Sequence, residues 1–505
     1  MSSTKTVAAI DLGAESGRVA QASFDGTRMQ LDVAHRFTHS PLEIDGILRW
    51  DIETLRAQIL NGLAILDRGN SPITSVGVDA WGVDYGLLDS GGELVDAPTC
   101  YRDSRNVGAM AKALEKVGAD AMYRATGVQI MPINTVFSLM SDVQDHPKRL
   151  ARAHRMLMMP DVIHHLLAGS STTEYTAAST TGLLNMRTGR WATDLLDLLD
   201  IPVDLMPEIV PPGTDVGSLK GDYSGALRDS RVVVPPAHDT ASAVVGVPFS
   251  SKGAVFISSG TWSLVGVETD QPIVTETSRR ANLTNEGGYA GTIRLLRNVM
   301  GLWILQNCRR QWANDGTELS YAEIAQLAHE EPGLVSLINP DSNDFLSPGD
   351  MPRRIQAYCA RVGMPVPQTI GAIARCVIDS LALSYRTVVD AITDVTGSRP
   401  PAVNIVGGGS SHSLLSHLTA DATGLPVHCG PVEATALGNA AVQLATAGEL
   451  GGLDDIRSVV AASADLVEYH PRANQDWESA AARFTALIRT DLVEAGHSGS
   501  SIGDS

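Results

Sequence analysis

Hydrophobic and polar positions alternate at the N-terminus in a way that predicts three short strands. "TVAAIDL" is an apolar, β-rich run closed by Gly13. "GRVAQASF" resumes the pattern and ends at Asp25-Gly26, a hairpin turn signal, and "RMQLDVAHRF" alternates as a third strand. The period then changes. In "DIETLRAQILNGLAILD" the apolar residues Ile52, Leu55, Ile59, Leu63 and Leu66 recur at helical spacing, with acids in the first turn. "ITSVGVDAWGVDYGLLD" returns to strand character, and the two patterns keep alternating through "VVVPPAHDTASAVVGV". The Pro- and Gly-rich stretch "PVDLMPEIVPPGTDVG" is expected to be a surface loop.

The second half begins by repeating the first. "GAVFISSGTWSLVGVE" has the shape of "VAAIDLGAESGRVAQA", with Ile257-Ser258-Ser259-Gly260 laid on Ile10-Asp11-Leu12-Gly13. One strand-turn-strand device used twice puts a domain boundary near 245–252. Farther on, Ile370, Ile373, Val377, Leu381, Val388 and Ile392 form one stripe of a long helix, and "PAVNIVGGGSSHSLLSHLTADATG" reads as buried strand, triple-glycine turn and helix. The expected division is 1–247, 248–475, and a C-terminal helix with a disordered tail over 476–505, the tail "GHSGSSIGDS" having no apolar pattern.

Length and composition narrow the class. The 505 residues exceed one comfortable core, and 44% apolar residues with 47 glycines suit an α/β protein. A formal charge of −19 disfavours nucleic acid and anionic membranes as partners. With no charged-then-apolar leader and no run of eighteen apolar residues, the expected location is the cytoplasm, as a monomer or homodimer. The five cysteines, Cys100, Cys308, Cys359, Cys376 and Cys429, contain no C-x-x-C; reduced buried thiols are the expectation, with a Cys359–Cys376 pair left open.

Three glycine-rich turns after β-rich runs suggest a nucleotide, yet no Gly-Lys dipeptide exists for a Walker A loop. His412 stands where a dinucleotide fingerprint following Gly407-Gly408-Gly409 needs glycine, and there is no G-x-S-x-G elbow. What remains is an anion clamp made of two hairpin turns. Asp11, at the end of the first strand, is then the carboxylate for Mg²⁺. Asp239 stands where an apolar strand gives way to a small-residue helix, either as a helix cap or as the group that takes a proton from an acceptor hydroxyl. Trp81 and Trp262 are candidates for stacking on a ring or for the core, Trp303 for the core, and His164-His165 for a solvated helix end.

These residues resemble the carbohydrate kinases of the glycerol kinase and xylulokinase type. The resemblance runs from about residue 6 to about 470 and rests on "DLGAESGRV", "DAWGVDYGLLD", "YRDSR", "MPDVIHHLLAG", "EYTAAST", "AHDTASAV", "SSGTWSL", "NLTNEGG", "RNVMGLWILQ", "INPDSNDF", "IVGGG" and "GPVEATALGNAAVQL". It implies an α/β fold of two ribonuclease H-like (actin-like ATPase) domains with a cleft between them. It also implies ATP- and Mg²⁺-dependent transfer to the 1-hydroxyl of L-rhamnulose, with Asp239 as the base.

By the same resemblance Ala14, Glu15, Ser16, Gly17, Arg18, Thr261, Gln306 and Gly408 would contact ATP. Gly82, His238, Asp239, Thr240 and Asn298 would contact the sugar. The chain departs from the family at Glu15, where Ser or Thr is usual, and at Ser411-His412, where Gln-Asn is usual. A kinase for another ketose, such as L-fuculose or xylulose, and a non-catalytic actin-like ATPase or sugar sensor are the alternative readings.

Overall fold

The computed structural model describes residues 4–249, 251–472 and 476–498. Its first sheet is built from β1 (Lys5–Leu12), β2 (Ser16–Phe24), β3 (Met29–Thr38), β4 (Ser75–Ala80), β5 (Thr214–Ser218) and β6 (Arg231–Val234), in the order β5-β6-β4-β1-β2-β3. The β1–β2 and β2–β3 ladders are antiparallel, whereas β4 joins β1, and β6 joins β4, in parallel. A parallel step needs a crossover, and α1 (Ile52–Asp67) supplies it between β3 and β4. The Asp51 side chain caps that helix by accepting from Thr54 N at 3.0 Å, and the predicted stripe of Ile52, Leu55, Ile59, Leu63 and Leu66 is its buried face. α2 (Asp239–Val245) follows β6.

The second sheet repeats this plan. It contains β7 (Val255–Ser259), β8 (Trp262–Thr269), β9 (Thr284–Gly287), β10 (Ile293–Met300), β11 (Val403–Val406), β12 (Val427–Cys429) and β13 (Val467–Tyr469), in the order β9-β10-β8-β7-β11-β12-β13. The run β10-β8-β7-β11-β12 corresponds to β3-β2-β1-β4-β6, so the repeated hairpin is the opening of a repeated fold. Helices α3 (Trp303–Asn314), α4 (Tyr321–Glu330), α5 (Ile370–Thr396), α6 (Ser413–Thr423) and α7 (Ala434–Thr446) complete the account needed for the site. The α5 helix is capped by Thr369 and stops at Gly397, whose φ of +72° is left-handed. The backbone of 477–498 is helical; most of the tail expected to lack order, residues 499–505, lies outside the described residues.

Packing divides the chain into two compact units that are not continuous in sequence. One contains residues 1–249, 267–297 and 433–465; the other contains 250–266, 298–432 and 466–505. Helix α7 belongs to the first unit although it comes late in the chain, because its small residues let it lie against β1, β4 and α2. A Cβ on Gly438 would stand 1.9 Å from the Ser242 carbonyl oxygen, so only glycine permits this approach. Gln443 ties the same helix to the sheet, donating to Ala8 O at 2.9 Å and accepting from Ser75 Oγ at 2.7 Å.

Two local expectations are corrected. The stretch 202–217 is not all loop: β5 starts at Thr214 and pairs with β6, its register shifting between Asp215 and Gly217. As an edge strand with a bulge it tolerates the glycine that made it look like loop. His164 is buried, 3.4 Å from Asp161 Oδ1, rather than solvated, because it faces inward from the helix Met159–Ala168. Of the two readings left open for Trp81 the core one holds, since it is 4% exposed and its Nε1 donates to Asp84 Oδ2 at 2.9 Å; Trp303 is core as expected.

Candidate active site

In the first unit, charged side chains collect at the ends of the central strands. Asp11 is the register partner of Asp79 across the parallel β1–β4 ladder and of Arg18 across the antiparallel β1–β2 ladder. Arg18 Nε lies 3.1 Å from Asp11 Oδ2, and the guanidinium also pairs with Glu433, which Arg36 contacts at 2.8 Å. Arg18, expected on the nucleotide phosphates, thus also anchors α7 to the sheet through the residue preceding that helix.

The carboxylates in this group are held at unusual proton affinities. Burial and the neighbouring Asp239 and Glu433 raise Asp11 to about 6, against the opposing effect of Arg18. Asp79 is raised well above the usual carboxylate range by burial and by Asp11, although Asn439 donates to its Oδ2 at 2.6 Å. Asp79 Oδ1 is buried without a hydrogen-bond partner, and Asp11 Oδ2 has none in good alignment. Two desolvated carboxylates with spare oxygens fit a small hard cation that completes its shell with water and phosphate. Among the described residues no cluster of three or more acidic, His or Cys side chains is arranged to hold an ion alone.

The turn between β1 and β2 is narrow. Gly13 N donates to Ser16 O at 2.9 Å, His39 N donates to Glu15 O at 3.2 Å, and His39 Nε2 lies 2.8 Å from Gly13 O. Ala14 sits at the tip of this turn. Gly17 serves packing: a Cβ there would meet the Phe37 ring at 2.4 Å.

Asp239 is the first residue of α2, and its carboxyl is also raised by burial, partly offset by His238 and by Thr240 N, which donates to Oδ1 at 2.6 Å. Its side chain is 27% exposed, so the carboxylate is recessed yet reachable. His238 Nε2 lies 3.4 Å from Asp239 Oδ1. A Cβ on Gly82 would lie 3.1 Å from His238 Nε2 and 3.1 Å from the Thr180 methyl, so the absent side chain leaves the imidazole edge open. Gly82, His238, Asp239 and Thr240 are therefore gathered in one place, beside Thr180.

Residues that sequence reasoning missed hold this place together. Glu174, raised to about 7 by burial, accepts from Ala237 N at 2.9 Å and from Thr176 Oγ1, while Thr176 Oγ1 accepts from His238 N at 3.1 Å. Glu286 and Arg294 are opposite each other on the β9–β10 ladder, and both reach His238 Nδ1. The only sequence signal for them is an ionic residue inside a β-rich run, which ordinarily marks a solvated face.

The second unit carries a pocket of 720 Å³ lined by Gly260, Gln306, Tyr321, Gly408, His412 and His417, among others. Two of the residues expected on the nucleotide, Gln306 and Gly408, thus share one concavity with Gly260. The three consecutive glycines differ in purpose. Gly407 has a left-handed φ of +81°, a Cβ on Gly409 would stand 2.0 Å from Ser259 Oγ, and a Cβ on Gly408 would meet nothing within 4 Å. Gly408 is therefore the one whose bare backbone faces open space. Thr261 follows Gly260, and its carbonyl accepts from Trp303 N at 3.1 Å; Asn298 is half-buried on β10. All five cysteines are free and buried. No described helix is long and apolar enough to cross a membrane.

Two family models match in tandem: the N-terminal domain of the FGGY family of carbohydrate kinases over residues 6–246 and its C-terminal domain over 255–447. The chain belongs to the FGGY family of carbohydrate kinases. This bears out the family resemblance read from the motifs. Rhamnulokinase from Bacteroides thetaiotaomicron is 38% identical over 483 residues, covering 95% of this chain and 99% of that protein. Rhamnulokinase from Pectobacterium atrosepticum is 41% identical over 496 residues, covering 97% and 98%. Gluconate kinase from Lactobacillus acidophilus superposes with a TM-score of 0.76 at 17% identity, covering 99% of each chain, which establishes the two-domain α/β fold of FGGY sugar kinases, of the actin-like ATPase type.

Proposed function

We propose that this carbohydrate kinase transfers the γ-phosphoryl group of ATP to the 1-hydroxyl of L-rhamnulose, giving L-rhamnulose 1-phosphate and ADP. The substrate follows from rhamnulokinases near 40% identity over almost the whole chain. The observation that carries the chemistry is the recessed Asp239 carboxylate, raised in pKa and set beside the open edge of His238.

In this reading Asp239 accepts the proton of the 1-hydroxyl as its oxygen attacks the γ-phosphorus and the bond to the bridging oxygen of ADP breaks. A carboxylate with raised proton affinity is the better base for this step. His238, Thr240 and the backbone at Gly82 hold the ketose, with Asn298 as a further contact. The turn from Ala14 through Glu15, Ser16 and Gly17 to Arg18 takes phosphate, as does Thr261, while Gln306 and Gly408 line the nucleotide pocket. Asp11, with Asp79 beside it, would hold Mg²⁺, whose charge offsets that of the polyphosphate when bound.

The reading is tested by incubating the protein with ATP, Mg²⁺ and L-rhamnulose and following ADP release together with the ³¹P spectrum of the product. Stoichiometric ADP and a phosphomonoester on C1 are expected. ATP binding without ketose-dependent ADP release would contradict it and favour a sensor or assembly ATPase.

A further inference from the structure

Behind the His238 imidazole, on the side away from Asp239, lies a buried ion pair. Arg294 is fully buried and Glu286 nearly so, and because they are direct cross-strand partners both side chains leave the same face of the β9–β10 ladder. Arg294 is fixed by its Nε, which donates to Gly287 O at 2.8 Å. Its Nη1 lies 3.2 Å from Glu286 Oε2, and its Nη2 lies 3.1 Å from His238 Nδ1. Glu286 Oε2 is 3.3 Å from the same ring nitrogen.

The donor chemistry of these groups decides the protonation of the ring. A guanidinium has only donors, so its approach to Nδ1 requires a lone pair there, and the ring proton must sit on Nε2. An imidazolium would set an N–H against an N–H at Nδ1. Against the effect of burial, Glu286 is held below its ordinary value chiefly by the charge of Arg294, with His238 adding to it. Its Oε2, 3.3 Å from Nδ1, makes no aligned hydrogen bond to the ring, whereas Arg294 Nη2 does. The backbone cannot rotate away either, since Glu174 and Thr176 hold the N–H groups of Ala237 and His238.

The Nε2–H faces Asp239 Oδ1, which already accepts from Thr240 N at 2.6 Å and lies 3.3 Å from Thr240 Oγ1. Among the described residues, the donors that reach this carboxylate converge on Oδ1. The other oxygen, Oδ2, is left for the hydroxyl proton. We infer that Arg294, paired with Glu286, is a positioning residue that locks His238 as the Nε2–H tautomer, so that Asp239 presents Oδ2 as the proton-accepting atom. The last clause rests on the proposed role of Asp239 as base; the tautomer does not.

The direct test is a long-range ¹H–¹⁵N spectrum of the full chain labelled with [¹⁵N]histidine at pH 7, the His238 signals being those lost in His238→Gln. The native protein should show a neutral His238 protonated on Nε2. In Arg294→Met the ring should change to the Nδ1–H form or to imidazolium, now directed at Glu286. In Arg294→Met/Glu286→Gln, which leaves no buried charge unpaired, the preference for Nε2–H should also be lost. Either variant should lower kcat about tenfold or more with ATP affinity unchanged, and Arg294→Lys should recover part of that loss.

A native His238 in the Nδ1–H or imidazolium form would overturn the inference. So would an Nε2–H tautomer that persists in the folded double variant. Both results are read without turnover, so they stand apart from whether the protein phosphorylates a ketose.

Discussion

The two sheets share a topology but treat the same positions in opposite ways. At the end of the first strand of one sheet stands Asp11, paired in register with Asp79; in the other stands Ser258, paired with Val406. The first unit spends stability on buried carboxylates and holds them with Arg18, Asn439 and α7. The second carries no charge at that point and opens bare backbone at Gly260 and Gly408 onto a pocket. A fold used twice has been divided into a half with buried carboxylates at its strand ends and a half with bare backbone lining a pocket. The topology fixes where a site forms, and the strand-end residues decide its chemistry.

The largest effect is expected at Asp239. Asp239→Asn should lower kcat by roughly a hundredfold or more while ATP affinity is kept, because only the proton acceptor is removed. Steady-state kinetics with calorimetric ATP binding checks both halves, and near-normal turnover removes Asp239 from the base role. Asp11→Ser, which writes the second hairpin's residue into the first, should raise the Mg²⁺ concentration for half-maximal rate by roughly 30-fold. Unfolding of that variant should show no loss of stability at pH 7, since a desolvated carboxylate has gone.

Smaller effects are expected where backbone or packing is altered. Gly260→Val should weaken ATP binding by roughly tenfold, or about 1.4 kcal/mol. A Cβ there would lie no nearer than 3.8 Å to its first neighbour, so the fold should survive. Unchanged ATP affinity would separate the pocket from the nucleotide.

The last effect is on stability. Asp84, which accepts from Trp50 Nε1 at 2.5 Å and Trp81 Nε1 at 2.9 Å, is raised to about 7 by burial, as is Glu174. A raised carboxyl binds its proton more tightly when folded. Its contribution is complete below the unfolded value near 4 and is lost as pH rises to about 7 and above. Stability to thermal unfolding should therefore fall between pH 5 and pH 8, by on the order of 5 kcal/mol from the two groups together, and Asp84→Asn should flatten that slope by about half.

Much of this was legible in the sequence where local pattern and global fold agree. The alternating runs around Gly13 and Gly260 are the β1–β2 and β7–β8 hairpins, and the stripe from Ile370 to Ile392 is α5. Residues of special chemistry at strand ends, Asp11 and Asp239, stood out because an acid after an apolar run demands an explanation. What was hidden depends on long-range contact. Arg294 and Glu286 are charged residues whose partners lie on another strand and at His238, so nothing nearby in the chain distinguishes them from a solvated pair. Strand β5 was obscured because edge position and a bulge relax the composition that marks a strand. His164 is buried because its helix turns that side inward, which the histidine doublet alone does not announce.

The acceptor is identified by kcat/KM for ADP release with Mg²⁺ and ATP across L-rhamnulose, L-fuculose, D- and L-xylulose, L-ribulose and glycerol. L-rhamnulose should be the preferred acceptor by at least about tenfold, the discrimination available from a few hydroxyl contacts. An equal or higher value for another of these acceptors would contradict it.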